Sequence, residues 1–384
     1  MKNLYLTIIS SLLAGIIIYI ILFIYTFLNL NNELRHSFDS LKNLNFHEKY
    51  SRKLNHIRDP NSFEELFKEA KVEDMLFTEI NNIKNKNIII LFQGDSWFEQ
   101  LTFVSEKNYV SANLIKEFGK KNKVGFVNGG IISYSPSLMN LQLDVLEDDF
   151  KILPSIVIAY IDQTDIGDEI CRYKKNKIYK NNTLSSVKPE TDLMGRGWFN
   201  YSEIYEISKI NLSDKNKIFK TFQIINFKFV YNLKRRINNF YYKYISKTGK
   251  DKFVKCYFTE IEKYLIELKD SEKKYFLSVL NEYYNKIKEK DHIKKLILVT
   301  HPHKKHFLKD QNGNFLFKHD VSNIVEDFVK DKKNIKHINF SKIILNDKNF
   351  DYENAWFDDM VHLNSINHGN FVKKILDVLS KELY

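Results

Sequence analysis

The chain is poor in the residues that mark fibrous, disordered and disulfide-rich proteins. Its 384 residues include 12 glycines, 5 prolines and 2 cysteines, whereas 43% are hydrophobic and 28% are charged. This composition excludes a collagen-like, low-complexity or wholly disordered chain. Two cysteines, Cys171 and Cys256, are too few for a disulfide framework or a four-thiolate zinc site, and a single bridge between them stays open. The length suits one large domain or two modest ones.

An excess of basic residues gives a formal net charge of +11, from 59 Lys and Arg against 48 Asp and Glu. Such a balance can indicate nucleic acid, anionic lipid or acidic glycan as a partner. The lysines are spread along the chain and alternate with acidic residues, and the abundance of Lys, Asn, Ile, Tyr and Phe is typical of AT-rich genomes. No compact basic motif of a nucleic-acid-binding protein is present, so we expect no nucleic-acid partner.

The first part of the chain lacks charge over an unusual length. No charged residue occurs between Asn3 and Asn32, and about 20 apolar residues are enough to cross a bilayer. A soluble helix of this length would carry a polar stripe. A cleaved signal peptide would have an apolar region of about 7–15 residues and small residues at its cleavage site. We therefore predict an uncleaved transmembrane anchor at residues 1–32, with a signal peptide as the alternative.

The charges that flank the apolar segment predict its orientation. Lys2 and the free amino terminus precede it, and the following flank is nearly neutral because Glu33 and Asp39 balance Arg35 and Lys42. By the positive-inside rule, the rest of the chain lies outside the cytoplasm. The sequence thus predicts a single-pass protein of the bacterial inner membrane with its catalytic domain in the periplasm.

The remaining sequence predicts two further regions. Residues 33–85 are polar and helical in pattern, which favours a juxtamembrane segment. Residues 86–384 form the main domain, interrupted by a helical insertion at about 172–290. The last part of the insertion, 257–290, has the pattern of an amphipathic helix. The basic, aromatic part at 215–245 fits a lid or a membrane-facing surface, but an ordinary helical insertion is the simpler interpretation.

Short apolar runs bounded by polar residues predict the strands of a parallel sheet, because such runs suit strands that are buried on both faces. Helix-like segments at 108–121 and 136–147 lie between them. The alternation of strand and helix predicts an α/β domain. The predicted strands lie at residues 88–92, 124–127, 156–160, 296–299 and 337–340.

Small and polar residues follow several of these strands. In open parallel sheets, reactive groups lie at the carboxyl ends of the strands, so these segments are the candidates for chemistry. A serine on a strand-to-helix turn lies beside backbone N–H groups that can stabilise an oxyanion. The segments are Gly94-Asp95-Ser96 after the first strand, Asn128-Gly129-Gly130 after the second, Asp162-Gln163-Thr164-Asp165 after the third, and Asp359 to His362 near the C-terminus.

These residue types suit acyl transfer. Serine is a weak nucleophile that needs a base within hydrogen-bond reach, and His362 can supply one to Ser96. Asp359, three residues before that histidine, can orient the imidazole and stabilise its cation. Gly130 offers a backbone N–H that a ligand can approach closely. Each short pattern is common by itself, and their joint occurrence in this order predicts a catalytic site.

Together these segments resemble the SGNH/GDSL hydrolase superfamily over about residues 86–384. The resemblance implies a flavodoxin-like three-layer α/β/α sandwich and an esterase that needs no cofactor. It also implies a role for each matching residue: Ser96 as nucleophile, His362 as base, Asp359 as the partner of the base, and the N–H of Gly130 as an oxyanion donor.

The third segment departs from the superfamily pattern. Asp162-Gln163-Thr164-Asp165 replaces the usual Gly-x-Asn-Asp, so Thr164 stands where an asparagine amide would bind the oxyanion, and Gln163 is the neighbouring amide. Loss of one such donor can lower the rate by about 10²–10³-fold. The acidic residues in and just after this segment, Asp162, Asp165, Asp168 and Glu169, could suggest a metal site, but helix capping or a place at the pocket rim is the simpler interpretation for several of them. We expect Thr164 and Gln163 near the substrate and no metal ion.

Other candidate residues lie close to these segments. His301, His303 and His306 follow the fourth strand, and clustered histidines can bind zinc. No cysteine or acidic residue has suitable spacing nearby, so we expect histidines at the pocket edge or surface. Trp97 and Trp356 flank the two catalytic segments, where they could stack on a sugar or acyl group or belong to the core.

The sequence therefore predicts a membrane-anchored serine esterase that removes acyl groups, O-acetyl by our expectation, from a cell-envelope glycan. A lipid is the alternative substrate. Two other functions stay open, an O-acyltransferase with the same triad and a non-catalytic glycan-binding or assembly protein on the same fold. The glycan follows from the anchor and the expected location, not from any residue.

Overall fold

The computed structural model describes two compact units. One comprises Met1–Glu48 and Asp192–Lys252, and the other comprises Lys49–Thr191 and Phe253–Tyr384. The residues described are 2–28, 46–47, 49–58, 71–101, 109–188, 218, 221–222, 225, 268–309, 311–314, 320–357 and 361–383.

Helix α1 (Lys2–Leu28) is the main described element of the first unit. Its part Ile9–Leu28 is apolar, almost entirely exposed, and long enough to cross a membrane. A signal sequence or a buried helix of a soluble protein could share this length and composition, so the anchor stays a prediction. Within the same unit, the ring of Tyr19 packs edge-on against Phe222, with 6.3 Å between centroids.

The second unit contains a six-stranded sheet and a separate two-stranded hairpin. Its strands are β1 (Thr78–Glu79), β2 (Ile89–Gln93), β3 (Gly125–Asn128), β4 (Ile156–Tyr160), β5 (Lys177–Lys180), β6 (Thr183–Val187), β7 (Lys295–Thr300) and β8 (Ile335–Asn339).

The strand order of the large sheet is β1-β3-β2-β4-β7-β8. Strand β1 is antiparallel to β3, and the other neighbours are all parallel. Counted along the chain, the five parallel strands have the order 2-1-3-4-5, which is the flavodoxin-like order. Strands β5 and β6 form the antiparallel hairpin.

Helices cover both faces of this sheet. On β2, Ile90 and Phe92 pack into an apolar cluster with Ile115 and Phe371. The next residue, Gln93, points to the opposite face, because side chains alternate along a strand. There its amide donates to the Met139 carbonyl at 2.9 Å, and its Oε1 accepts from the Tyr283 hydroxyl at 2.7 Å.

The described part of this unit includes the α-helices α2 (Ser96–Glu99), α3 (Tyr109–Asn122), α4 (Pro136–Phe150), α5 (Gln163–Gly167), α6 (Asp270–Glu289), α7 (Asp320–Val329), α8 (Phe340–Asn346) and α9 (Ser365–Ser380). Helices α3 and α9 pack together on one face, and α4 and α6 pack together on the other. The second unit is therefore a three-layer α/β/α sandwich, as the sequence predicts.

All five strands predicted from apolar runs are present, and so are the two predicted helices, α3 and α4. The hairpin β5–β6 lies inside the insertion that the sequence predicts to be helical. Its turn is Asn181-Asn182, and both residues have positive φ, 49° and 61°. Asparagine tolerates that conformation, which a two-residue type I′ turn requires. These strands were not predicted, because most of their residues are partly or fully exposed and so do not form apolar runs.

The ends of the insertion are described, and most of its middle is not. Helix α6 forms the final part of the amphipathic segment, whereas residues 257–267 and nearly all of 215–245 lie outside the described residues. The second unit begins at residue 49, earlier than the expected domain start at 86. Cys171 takes part in a disulfide bond, and the only other cysteine of the chain, Cys256, lies outside the described residues.

Candidate active site

The carboxyl ends of β2 and β4 lie side by side where the strand order reverses, and such switch points are where open α/β sheets bind ligands. Gln93 pairs in register with Ala159, so the segments that follow both strands start level with each other. Gly94 permits this close approach. It has a φ of +154°, and a Cβ there would lie 2.8 Å from the Cβ of Tyr160.

Ser96 and His362 are brought together at this edge, although 266 positions separate them in the sequence. The Ser96 Oγ lies 2.6 Å from Nε2 of His362. Ser96 is the first residue of α2, and the carboxylate of Asp95 caps this helix by accepting from the Trp97 N–H at 2.9 Å. Both members of the pair are only partly buried, so a substrate can reach them.

The loop that carries His362 is pinned at its base. The N–H of Phe357 donates to the His362 carbonyl at 2.8 Å, and Trp356 forms a β-bridge with Leu363. Asn364 then caps α9. Residues 358–360 lie outside the described residues, so the role of Asp359 as the partner of His362 stays a prediction.

Trp97 forms a buried aromatic support behind the pair. Its ring centroid lies 4.3 Å from that of His301, 5.3 Å from Tyr160 and 6.2 Å from His362. Trp97 is fully buried and Trp356 is nearly so. Of the two roles that the sequence left open for these tryptophans, the structure supports the core role, because neither ring has a free face for a sugar.

His368 links α9 to the turn that carries Ser96. Its Nε2 lies 3.1 Å from the Trp97 carbonyl and its Nδ1 lies 2.7 Å from the Ser111 Oγ. A carbonyl can only accept, so Nε2 donates and the Ser111 hydroxyl donates to Nδ1. Burial lowers the pKa of His368 to about 4, which keeps the ring neutral. Sequence reasoning missed this residue, because no local pattern separates it from other helical positions.

The Gly130 segment lies directly against α2. A Cβ at Gly130 would lie 2.6 Å from backbone atoms of Phe98 and Glu99. The N–H of Gly130, expected to face an oxyanion, donates instead to Oδ1 of Asn128 at 3.0 Å. Its carbonyl accepts from the buried guanidinium of Arg58 at 2.5 Å. The segment follows β3 as the sequence predicts, but the N–H of Gly130 already donates a hydrogen bond within the protein.

The N–H of Ser96 differs from that of Gly130. As the first residue of α2, Ser96 has no preceding helical carbonyl to bond. No hydrogen bond joins its N–H to any other residue in the described part of the chain. This N–H is therefore available to a developing negative charge beside the Ser96 hydroxyl.

Asp162 organises the third segment. It caps α5 by accepting from the Thr164 N–H at 3.3 Å, and its carboxylate also accepts from the Thr164 hydroxyl at 2.6 Å and from Nε2 of His303 at 2.8 Å. Burial raises the pKa of Asp162, but the electrostatic interaction and hydrogen bond with His303, together with hydrogen bonds from Thr164 and the Gln163 backbone, outweigh burial. The pKa of Asp162 is therefore below its usual value, and the carboxylate is ionised.

Gln163 occupies a different environment from the one expected. The side chain is fully buried, and its Oε1 accepts from the N–H of Val321 in the first turn of α7 at 3.1 Å. This contact holds the amide against the neighbouring helix α7, and a role for Gln163 near the substrate stays a prediction.

The other acids of this segment are buried and have protein partners. Asp165 accepts from the Asp162 N–H at 3.0 Å, and Asp168 pairs with Arg172 at 3.1 Å. Glu169 accepts from the Ser137 hydroxyl at 2.8 Å. The capping role is confirmed for Asp162 and Asp165, whereas a place at the pocket rim is wrong because these side chains are buried. In the ranges described, no group of three or more acidic, His or Cys side chains is arranged to hold a metal ion.

Burial changes the protonation of the acids beneath the site. The pKa of Asp95 is raised well above its usual value by burial and then by the negative field of Asp162. The pKa of Asp165 is likewise raised well above its usual value, by burial and by Asp95. Burial raises the pKa of Asp168 to about 6 against the opposing effect of Arg172. Asp162 is the one acid of these four whose pKa lies below its usual value, so its charged form is the most strongly favoured.

The three histidines after β7 are buried, so of the two positions expected for them, pocket edge or surface, the surface position is wrong. His301 packs on Trp97, and His303 bonds Asp162. His306 accepts from the His303 N–H through Nδ1 at 2.8 Å. The contact between His303 and Asp162 follows from adjacent parallel strands, β4 and β7, whose carboxyl ends meet at one edge. That adjacency was the signal that could have revealed it.

Comparison with known proteins gives similarities in structure at low sequence identity. No protein-family profile and no curated protein matches the sequence. A variant of the acetyl-xylooligosaccharide esterase Axe2 from Geobacillus stearothermophilus is similar at 12% identity and a TM-score of 0.38, over 77% of this chain and 95% of that one. The acetyl xylan esterase AlAXEase is similar at 15% identity and a TM-score of 0.33, over 76% and 99%.

A third similar structure is the acetyl xylan esterase Est2A from the rumen bacterium Butyrivibrio proteoclasticus. Its identity is 11% and its TM-score 0.35, over 79% of this chain and 66% of that one. At these levels of similarity, the roles of residues in this chain rest on its own geometry: a hydroxyl and an imidazole in contact at the open edge of a parallel sheet, beside one uncommitted N–H.

Proposed function

We propose that this protein is a serine esterase in which Ser96 is the nucleophile and His362 the general base. The observation that carries the proposal is the 2.6 Å separation of the Ser96 Oγ and the His362 Nε2. Hydrogen-bond contact between a nucleophile and its base is the geometric requirement for activating a serine. The partly exposed position of both groups at the sheet's switch point supports the same function.

In the proposed reaction the Ser96 Oγ attacks an ester carbonyl while its proton passes to Nε2 of His362. The Ser96 N–H donates to the oxyanion of the tetrahedral intermediate. The imidazolium then protonates the leaving alcohol, and an acyl-enzyme remains. Water, deprotonated by His362, then attacks the acyl carbonyl. As the bond to the Ser96 Oγ breaks and the acid leaves, His362 returns the proton to that oxygen. We assign Asp359 the task of stabilising the imidazolium, as its spacing from His362 predicts.

The proposal includes the place of the reaction. Helix α1 anchors the protein in the bacterial inner membrane, and the catalytic unit acts in the periplasm. The substrate is a cell-envelope glycan that carries ester-linked acyl groups, with O-acetyl as the smallest case. The apolar, exposed surface of α1 and the charges that flank it support the anchor.

The first prediction concerns the nucleophile. Full-length protein in detergent should hydrolyse p-nitrophenyl acetate, and Ser96→Ala should lower kcat by at least about 10³-fold, because removal of a nucleophile costs up to about 10⁶-fold in serine hydrolases. The matched control is Ser278→Ala, at an exposed serine of α6, which should keep the wild-type rate. Equal rates for Ser96→Ala and wild type would disprove the proposal.

Two alternatives keep support from particular observations. An O-acyltransferase would use the same pair and pass the acyl group to a sugar hydroxyl in place of water. A non-catalytic glycan-binding or assembly protein is favoured by the Gly130 N–H and the Thr164 hydroxyl. Both already donate hydrogen bonds within the protein, so neither is free to stabilise an oxyanion. A fluorophosphonate probe distinguishes these cases. It should label Ser96 in an esterase or a transferase, and it should leave a binding protein unlabelled.

A further inference from the structure

Thr164 is the one point at which the third segment reaches solvent. Residues 161–163 and 165–169 are buried, and Thr164 is partly exposed. It lies two residues beyond Asp162, at the carboxyl end of β4. The neighbouring strand β2 ends in register with β4 and leads directly into Ser96. Thr164 is therefore exposed on the same edge as the proposed nucleophile.

The hydroxyl hydrogen of Thr164 points into the protein. Its Oγ1 lies 2.6 Å from Oδ2 of Asp162, and an ionised carboxylate can only accept, so the threonine donates. A hydroxyl has one hydrogen and two lone pairs. Once the hydrogen is used, Thr164 can offer an outside group only its lone pairs. Its hydroxyl cannot at the same time donate to an oxyanion, so of the two roles expected for Thr164, oxyanion donor or substrate contact, this geometry favours substrate contact.

His303 holds Asp162 in this state. Its Nε2 lies 2.8 Å from Oδ1 of Asp162, the oxygen that does not bind Thr164. Both side chains are more than nine-tenths buried. The Tyr160 hydroxyl lies beside the same oxygen at 3.4 Å. With one carboxylate oxygen occupied by His303, the other stays directed at Thr164, and the threonine stays a donor toward the interior.

From this geometry we infer that Thr164 is a specificity-determining residue that accepts a hydrogen bond from a hydroxyl of the substrate, and that Asp162 and His303 are positioning residues that fix its direction. The inference rests on the proposed esterase function. It names the substrate class as partly acylated polyols or sugars, in which a free hydroxyl lies next to the ester.

Two small esters test the inference in full-length protein in detergent. 2-Hydroxyethyl acetate carries a hydroxyl donor next to the ester, and 2-methoxyethyl acetate has the same skeleton without the donor. The measured quantity is the ratio of kcat/KM for the first ester to that for the second. Thr164→Val removes the acceptor at nearly constant volume and should lower this ratio by about 2- to 10-fold, the range for one neutral hydrogen bond.

Two variants serve as controls for this substitution. Thr164→Ser keeps the hydroxyl and should keep the ratio. Thr183→Val makes the same chemical change at an exposed residue of β6, outside the site, and should leave both rates at the wild-type level. A fall of about 10²–10³-fold in both rates of Thr164→Val at constant ratio would identify an oxyanion donor and overturn the inference. An unchanged ratio with small losses would overturn it as well.

The positioning role of His303 has its own readout. His303→Leu removes the donor to Asp162, so the carboxylate loses its fixed orientation and the ratio should fall as it does in Thr164→Val. His303→Gln places an amide N–H near the position of Nε2 and should restore the ratio. A merely structural role for His303 would change stability in both variants and leave the ratio constant, which would refute the positioning role.

Failure of the proposed function gives a different result. If wild type and Ser96→Ala hydrolyse the esters at the same rate, or if neither hydrolyses them, the esterase itself is disproved, and the inference falls with it. If hydrolysis depends on Ser96 and the kcat/KM ratio is unchanged in Thr164→Val, the proposed esterase function is retained and only the inference about Thr164 is wrong.

Discussion

Single hydrogen atoms decide what the residues of this site can do. The ring of His368 has only one possible arrangement, with Nε2 donating to the Trp97 carbonyl and Nδ1 accepting from Ser111. The same reasoning assigns the hydrogen of Thr164 to Asp162 and that of the Gly130 N–H to an asparagine. Proton placement therefore separates residues that support the site from residues that can meet a substrate.

A prediction at this scale concerns His368 and pH. Burial lowers its pKa to about 4 from the usual 6.5, so below pH 6.5 the unfolded chain binds a proton that the folded chain excludes. The contribution of His368 to stability is complete above pH 6.5 and falls as the pH drops toward 4, by about 3 kcal/mol in total.

His368→Gln has no titrating group at this position and isolates the effect. Denaturant unfolding in detergent measures the unfolding free energy of wild type and His368→Gln at pH 7 and pH 4. Between these pH values, wild type should lose about 3 kcal/mol more of this free energy than His368→Gln does. A difference that is constant with pH would show that the ring is not held neutral.

Only some of the contacts in the candidate site could be predicted from the sequence. The proximity of Ser96 and His362 could be expected, because Ser96 lies in a short motif directly after β2 and His362 lies in a second short motif on the last loop before the C-terminal helix. The hydrogen bond from the Gly130 N–H to Asn128 could not be predicted, because it depends on the side-chain conformation of Asn128. The burial of Gln163 could not either, since its partner is an N–H of α7 that lies 158 positions away in the sequence.

At the scale of elements, the turn from β2 into α2 sets the position of Ser96, the proposed nucleophile. It passes so close to β4 that only glycine fits at position 94. Gly94→Ala should destabilise the protein by about 2–4 kcal/mol, since a Cβ contact of 2.8 Å adds overpacking to an unfavourable φ. It should also lower kcat, because relief of the clash moves Ser96.

Gly313→Ala is the matched control for that substitution. Gly313 also has a positive φ, +80°, but a Cβ there would meet no atom within 4 Å. This variant carries the conformational cost alone, about 1–3 kcal/mol, with no steric clash. Thermal unfolding of both variants separates the two contributions. A smaller loss in Gly94→Ala than in Gly313→Ala would contradict the packing seen at Tyr160.

The elements that could be predicted share one property. The parallel strands in the middle of the sheet are buried on both faces, so their sequences are continuous apolar runs, and β4 (Ile156–Tyr160) is buried at every position. Strand β1 has two residues, and β5 is partly or fully exposed throughout. Their sequences carry no apolar signal, because pairing with a neighbouring strand, not burial, makes them strands.

On the scale of the whole molecule, α1 is predicted to decide location and to have no part in the chemistry. A chain without residues 1–32 should leave the membrane fraction, because the one described segment apolar enough to span a bilayer is removed. Fractionation with an alkaline carbonate wash measures the change. Retention of the shortened chain in the washed membranes would show that another segment binds the membrane.

The alternation of elements predicted an α/β domain with a parallel sheet, since few topologies join buried parallel strands by helices. The flavodoxin-like arrangement was implied only by the resemblance of the short motifs to a known superfamily. The division of the chain into two units could not be anticipated from the sequence. The first unit combines the N-terminal segment with Asp192–Lys252, and no composition shift in the sequence marks these distant stretches as partners.

The 266 positions between Ser96 and His362 have a consequence for biosynthesis. The proposed nucleophile emerges early, after the first parallel strand, whereas its proposed base follows the fifth. While the chain is being synthesised, the serine is therefore an ordinary hydroxyl with no proton acceptor. Under the proposed mechanism, a nascent chain is inert toward esters and becomes reactive only when the last helix docks.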